Sequence, residues 1–165
     1  MDRKLETPKV EDILVKNVIA FRPDFDSFDA IKYFNEYKIS TAPVVNDENE
    51  VIGFLSESDC IKCLSNCLFY DEARNRTIDL IMSKDVAVAE SAWDIFKLET
   101  FFVSNHLRCA PVVDSENHLI GIVTRRDALL ALEKCMKGRE EYKKEIKTPV
   151  ELNMQLRIKM IVNRA

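Results

Sequence analysis

Two stretches carry residue types that could do chemistry: Gly121-Ile122-Val123-Thr124-Arg125-Arg126-Asp127 and Gly53-Phe54-Leu55-Ser56-Glu57-Ser58-Asp59. In each, an apolar run containing a glycine hands over, through a hydroxyl residue, to a helix that opens with an aspartate. Such an aspartate can accept hydrogen bonds from both hydroxyls of a ribose, and its charge strengthens them. The Ser or Thr, together with the unpaired backbone N–H groups of a helix start, suits a phosphate. The same spacing has a ligand-free explanation. S/T-x-x-D is a close variant of the capping box, in which the hydroxyl bonds the third helical N–H and the acid reaches back. Both explanations stand at this level.

The elements that must position these residues occur twice. Gly53 and Gly121 lie 68 residues apart, and the same shift lays Ala42-Pro43-Val44-Val45 on Ala110-Pro111-Val112-Val113. It also lays Val18 on Val86, Asp26 on Asp94, Phe34 on Phe102 and Ile52 on Ile120. Asp12 meets Asp79 at a shift of 67, which implies one residue inserted near Met82-Ser83. The chain is a tandem duplication. Each copy begins with a helical turn, at Val10–Leu14 and at Thr77–Met82, followed by a short extended piece, Val18–Phe21 or Val86–Ala89. Asp26 and Asp94 are N-caps for helices with apolar residues at helical spacing. Two β-branched runs joined by a polar turn, Asn46-Asp47-Glu48-Asn49 in the first copy, read as a hairpin. Closing helices run from Ser56 to about Asn66 and from Thr124 to about Lys137.

The expected fold class is therefore α/β (α+β), each repeat ordered helix, strand, helix, strand, strand, helix. The repeats occupy residues 8–66 and 77–137, with a connection at 67–76 and an extension at 138–165. A repeat of about 55 residues buries too little surface to be more than marginally stable, so the two are expected to share one unit. Leu68-Phe69-Tyr70 is too apolar for a free tether and is expected to pack back on the pair. Glu140–Glu145 has helical charge pairing, and Pro149 stops it. From Val150 to Met160 apolar and polar residues alternate, the pattern of a half-buried strand, although the residue types favour helix. Such a strand needs a partner edge, on this chain or on a second one.

Composition removes several function classes. Among 165 residues, no apolar run reaches the roughly 18 residues that cross a bilayer, and the start lacks a signal-peptide segment, so a cytoplasmic location and no membrane are expected. A net charge of −4 argues against general nucleic-acid binding. Five cysteines, an odd number, fit a reducing compartment. Cys60, Cys63 and Cys67 share a helix face and could hold a metal, but Ala128 and Ala131 stand at the first two equivalent positions, so small buried side chains explain them and no metal is expected. His106 and His118 have no nucleophile or ligand companion at motif spacing, and three glycines cannot build a P-loop or a Rossmann fingerprint. No enzyme activity and no required cofactor are expected.

The Ala-Pro-Val-Val strand, the polar turn and the Ile-Gly-apolar-apolar-Ser/Thr-x-x-Asp exit, occurring twice between residues 8 and 135, resemble a tandem cystathionine-β-synthase (CBS) domain pair of the stand-alone type. The resemblance implies a pseudo-twofold module with two clefts that bind AMP, ADP, ATP or S-adenosylmethionine as regulatory ligands. It also implies a homodimer and an effector protein as partners. On this basis one cleft is expected to use Thr124, Asp127, Arg125, Arg126 and Arg108, with Val86 and Ala110-Pro111 as an adenine slot. The second, weaker cleft is expected to use Ser56, Asp59, Thr41, Ala42, Pro43 and Val18. Arg108, Arg125 and Arg126 give a charge of +3 where the first repeat has Ser40, Glu57 and Ser58 at −1, so a phosphorylated ligand should prefer the Asp127 cleft. The alternative is a non-catalytic dimerisation protein with empty clefts and a C-terminal segment that docks a partner.

Overall fold

The structure is a computed structural model and describes residues 7–70 and 77–146. The first repeat contains α1 (Val10–Ile13), α2 (Ser27–Tyr37), β1 (Thr41–Val45), β2 (Val51–Ser56) and α3 (Glu57–Tyr70). The second contains a 3-10 turn (Ile78–Leu80), β3 (Ala89–Glu90), α4 (Ile95–Ser104), β4 (Cys109–Val113), β5 (Leu119–Thr124) and α5 (Arg125–Ile146). The expected order is present, with two local differences. The first strand of repeat 1 shrinks to Phe21, which bridges in parallel to Val44, and the second lead-in winds as a 3-10 turn.

Each repeat is built on an antiparallel hairpin. Thr41 pairs with Ser56 and Cys109 with Thr124, so within each hairpin the strand end that carries the chemistry lies beside the start of its partner. The middle helices start where the sequence says. Asp26 accepts from the N–H groups of Phe28 and Asp29, and Asp94 from those of Phe96 and Lys97. They bury Ala30 and Phe34, and Ile95, Leu98 and Phe102, against their hairpins.

The lead-ins cross over. Val10 of repeat 1 is fully buried in the core of repeat 2, and Ile78 of repeat 2 in that of repeat 1. Each such burial contributes about 1.5–3 kcal/mol. The hydrogen bonds repeat the crossing in both directions. Val10 N–H donates to Trp93 O at 2.9 Å and Ile78 N–H to Phe25 O at 3.0 Å, while Val15 exchanges bonds with Ile122, and Ser83 with Phe54. These pairs keep a shift of 68 throughout, with Glu11 opposite Asp79. The insertion expected near Met82-Ser83 is therefore absent; the match of Asp12 to Asp79 was a coincidence of residue type.

A clasp joins the two hairpins at their turns. Leu119 N–H donates to Asn49 O at 2.9 Å while Asn49 Nδ2 donates to Leu119 O at 3.0 Å. Val51 and Asn117 repeat the exchange at 3.3 Å for both bonds. Both asparagines are left-handed, with φ of 65° and 67°, a conformation that asparagine tolerates better than most residues. Asn117→Ala should cost about 2 kcal/mol, from a lost hydrogen bond and a left-handed alanine. Asn117→Gly should cost less, because only the bond is lost. Urea unfolding of the two variants checks the order.

Two sequence expectations change here. Leu68 and Phe69 do not pack back on the pair: they end α3 with 84% and 82% exposure. Glu140–Glu145 is not a separate helix but the last part of α5, which continues without a break from Arg125. The alternating segment from Val150 to Met160 lies outside the described residues.

Candidate functional site

Both hydroxyl–aspartate pairs form capping boxes. Asp127 N–H donates to Thr124 Oγ1 at 3.2 Å, and Asp127 Oδ2 accepts from Thr124 N–H at 2.9 Å and Thr124 Oγ1 at 2.6 Å. Asp59 and Ser56 repeat the three bonds at 3.3, 3.0 and 2.5 Å. The geometry decides between the two sequence explanations in an unexpected way, because they do not compete. Capping occupies Oδ2 alone. Among the described residues Oδ1 of neither aspartate takes a hydrogen bond, so each half-buried carboxylate keeps one oxygen for a further donor.

Asp127 opens onto a cleft of about 560 Å³ between α1 and α5. Pro8, Asp12 and Ile13 form one wall, and Leu130, Ala131, Lys134 and Cys135 the other. A cleft of that volume suits a small-molecule ligand. No motif drew attention to Pro8, Asp12, Ile13 or Lys134. The crossed lead-in brings α1 here, and only the apolar pattern that buries Val10 in repeat 2 could have hinted at it.

The crossing also rearranges the expected groups. The lead-in that carries Val18 pairs with β5 through Val15, and the lead-in that carries Val86 pairs with β2 through Ser83. Val86 packs where the two repeats meet, against the cluster of Val45, Val51 and Val113, so it is not confined to the side of Thr124 and Asp127. Thr41 bridges the repeats as well, since its side chain hydrogen-bonds the Cys109 thiol. Ala42, Pro43, Ala110 and Pro111 are core residues with fully buried side chains, so only their backbone could edge an adenine slot. Arg108 and Arg126 are exposed, whereas Arg125 donates through Nη2 to Phe102 O at 3.2 Å and lines a different groove, between α4 and α5. Among the described residues that line the Asp127 cleft, Lys134 is the cation, and none of Arg108, Arg125 and Arg126 stands in its walls.

The cysteine face is packing. Cys60 and Cys63 are buried where Ala128 and Ala131 are buried in repeat 2. Burial, followed by the charge of Asp59, pushes the Cys60 thiol up to about 11. Among the described residues no group of three His, Cys, Asp or Glu side chains could hold a metal ion. Cys60 should resist iodoacetamide at pH 8 in the native protein and react on unfolding, as peptide mass spectrometry would read. The sign of the linkage follows. The raised thiol leaves stability intact below pH 9, its ordinary value, and erodes it as pH rises toward 11.

The model of the CBS domain matches residues 10–66 and again 78–134. The chain belongs to the CBS domain family. Its two copies form a tandem CBS pair, and similar proteins share that arrangement. A protein of Methanocaldococcus jannaschii with no assigned activity is 31% identical over 152 residues, covering 74% of this chain and 90% of that protein. Inosine-5'-monophosphate dehydrogenase of the same archaeon is 31% identical over 121 residues, which is 73% of this chain but only 23% of the enzyme. The chain thus spans about a quarter of the dehydrogenase's length. Among solved structures, protein MJ1225 of M. jannaschii superposes with a TM-score of 0.70 at 27% identity, over 76% of this chain and 50% of that one. CBSX2 of Arabidopsis thaliana in complex with AMP gives a TM-score of 0.68 at 23% identity, over 76% of this chain and 96% of that one. The CBS pair of protein MJ0100, in complex with 5'-methylthioadenosine and S-adenosyl-L-methionine, gives 0.65 at 23%, over 81% and 99%. At those identities the last two establish the fold. No helix among the described residues is long and apolar enough to cross a membrane.

Proposed function

We propose that this CBS pair is an adenosyl-ligand-binding regulatory module, non-catalytic and cytoplasmic, that works as a homodimer and passes ligand occupancy to an effector protein. The observation that carries the reading is the spare Oδ1 of Asp127, held by the cap at the edge of a cleft of about 560 Å³. That oxygen receives the ribose hydroxyls. Thr124 at the start of α5, with Arg126 and Arg108, receives phosphate, and Lys134 of the cleft wall adds to that attraction. Val18, on the crossed lead-in, and the Thr41–Ala42 backbone edge the adenine side. The Ser56/Asp59 cleft, with Glu57 at its helix start, takes a less anionic ligand or stays empty. Support comes from the family, whose solved members CBSX2 and MJ0100 hold AMP, and methylthioadenosine with S-adenosylmethionine.

Isothermal titration with AMP, ADP, ATP and S-adenosylmethionine tests the reading. Saturable binding by at least one of the four is expected. Silence across the panel, with the protein shown to be folded and ligand-free, overturns it.

A further inference from the structure

The start of α5 is fastened twice by one residue. Arg125 opens the helix, directly after Thr124, and its N–H donates to Arg108 O at 3.0 Å. Its side chain reaches the other way, where Nη2 donates to Phe102 O at 3.2 Å. Phe102 lies in the last turn of α4, whose final carbonyls have no partner within the helix and carry its negative end. A guanidinium placed there makes a charge-assisted hydrogen bond. The two bonds bracket the connection from α4 to β4, with Phe102 before it and Arg108 after it. The end of one helix and the beginning of the next are thus held by a single residue.

The first repeat has only the backbone half of this tie. Glu57 N–H donates to Ser40 O at 3.0 Å, the counterpart of the bond from Arg125 to Arg108. Phe34 O, the counterpart of Phe102 O, accepts from the N–H groups of Lys38 and Ile39. Glu57, whose carboxylate only accepts, cannot supply a donor in place of the guanidinium. The two capping boxes have the same three bonds, so what separates them is how firmly the first turn of each helix is anchored.

We propose that Arg125 is a positioning residue of the Asp127 site. It does not touch the ligand; it holds the first turn of α5 in place, and with it the Thr124–Asp127 box that aims Oδ1 of Asp127. This rests on the adenosyl-ligand reading above and deepens it, because it takes Arg125 out of the ligand contacts and gives it another task. A carboxylate already held when the ligand arrives spares part of the ordering cost of binding. The benefit falls on the ribose, so it is indifferent to the charge of the rest of the ligand.

Titration calorimetry of the wild type, Arg125→Met and Arg125→Lys with adenosine, AMP, ATP and S-adenosylmethionine tests it. Arg125→Met keeps an unbranched side chain and removes the donor. It should weaken every ligand that binds by about five-fold, less than the full worth of a charge-assisted hydrogen bond because the α4–α5 groove is open to water. Arg125→Lys should recover most of that loss, since an ammonium can serve the same carbonyl. In the ligand-free protein, amide hydrogen exchange at Thr124 and Asp127 should quicken in Arg125→Met while that at Ser56 and Asp59 stays as it was; a general loss of stability would move both pairs. A loss that grows with the number of phosphates, or a gain for the cationic S-adenosylmethionine, would mean that Arg125 acts on the ligand by its own charge, and overturns the proposal. Unchanged affinity in Arg125→Met, or unchanged exchange, overturns it as well and leaves the adenosyl-ligand reading standing. A wild type that binds none of the ligands overturns that reading, and the role of Arg125 in binding with it.

Discussion

Gly121→Ala is expected to destabilise the protein by about 3 kcal/mol, and Gly53→Ala by about 1, within the usual range for overpacking a core. The two glycines hold equivalent places, each where the lead-in of the other repeat crosses a hairpin strand. What a methyl group would meet is different. At Gly121 it would lie 2.8 Å from the Val15 carbonyl oxygen and 2.4 Å from Leu14 Cδ1. That carbonyl accepts from Ile122 N–H at 3.0 Å, so retreat breaks the pairing that fastens the lead-in. At Gly53 it would lie 2.2 Å from Met82 Sδ and 3.0 Å from Met82 Cε. Methionine has three rotatable bonds and a soft sulfur, and it can swing aside without moving backbone. Urea unfolding midpoints, with the slope held constant, measure both effects. Equal losses would mean that the lead-in backbone at Val15 yields as easily as the methionine side chain.

Those glycines show where sequence reading worked and where it stopped. The duplication, the caps at Asp26 and Asp94 and both hairpins were legible because each depends on local chemistry: a side-chain oxygen near free N–H groups, a polar turn between β-branched runs. The crossing of the lead-ins was not legible. Nothing in Val10 or Ile78 says which of two similar cores it enters, since either offers an apolar hole of the same kind. The choice lies in long-range geometry. Arg125 illustrates a second limit. Its place beside Arg126 suggested a shared target, but successive residues on a helix point about 100° apart. Arg125 accordingly turns to the Phe102 carbonyl and the α4–α5 groove. Leu68 and Phe69 mark a third limit: apolar character alone does not fix burial, and at the end of α3 both stay exposed.

Asp127→Ala is expected to lower ligand affinity about a hundred-fold or more while costing the fold only about 1 kcal/mol. The two figures come from different oxygens of one carboxylate. Oδ2 serves the cap, and the loss of an N-terminal cap costs about 1 kcal/mol. In the proposed site Oδ1 would serve the ribose, and hydrogen bonds to a charged group contribute about 1.5–3 kcal/mol each. Two of them convert to a hundred-fold or more at 1.4 kcal/mol per factor of ten. Asp59→Ala should match the first effect and not the second, because its capping box has the same three bonds. The first repeat has Ser40 and Ser58 where the second has Arg108 and Arg126, so its site is expected to be the poorer one for a phosphorylated ligand. Titration calorimetry of both variants, run beside urea unfolding of the same samples, separates the contributions. Equal losses of stability with unequal losses of affinity would give the two motifs a shared structural role and a divided binding role. Unchanged affinity in Asp127→Ala, with the loss of stability present, would reduce the carboxylate to its cap and move the ligand's anchor elsewhere in the cleft.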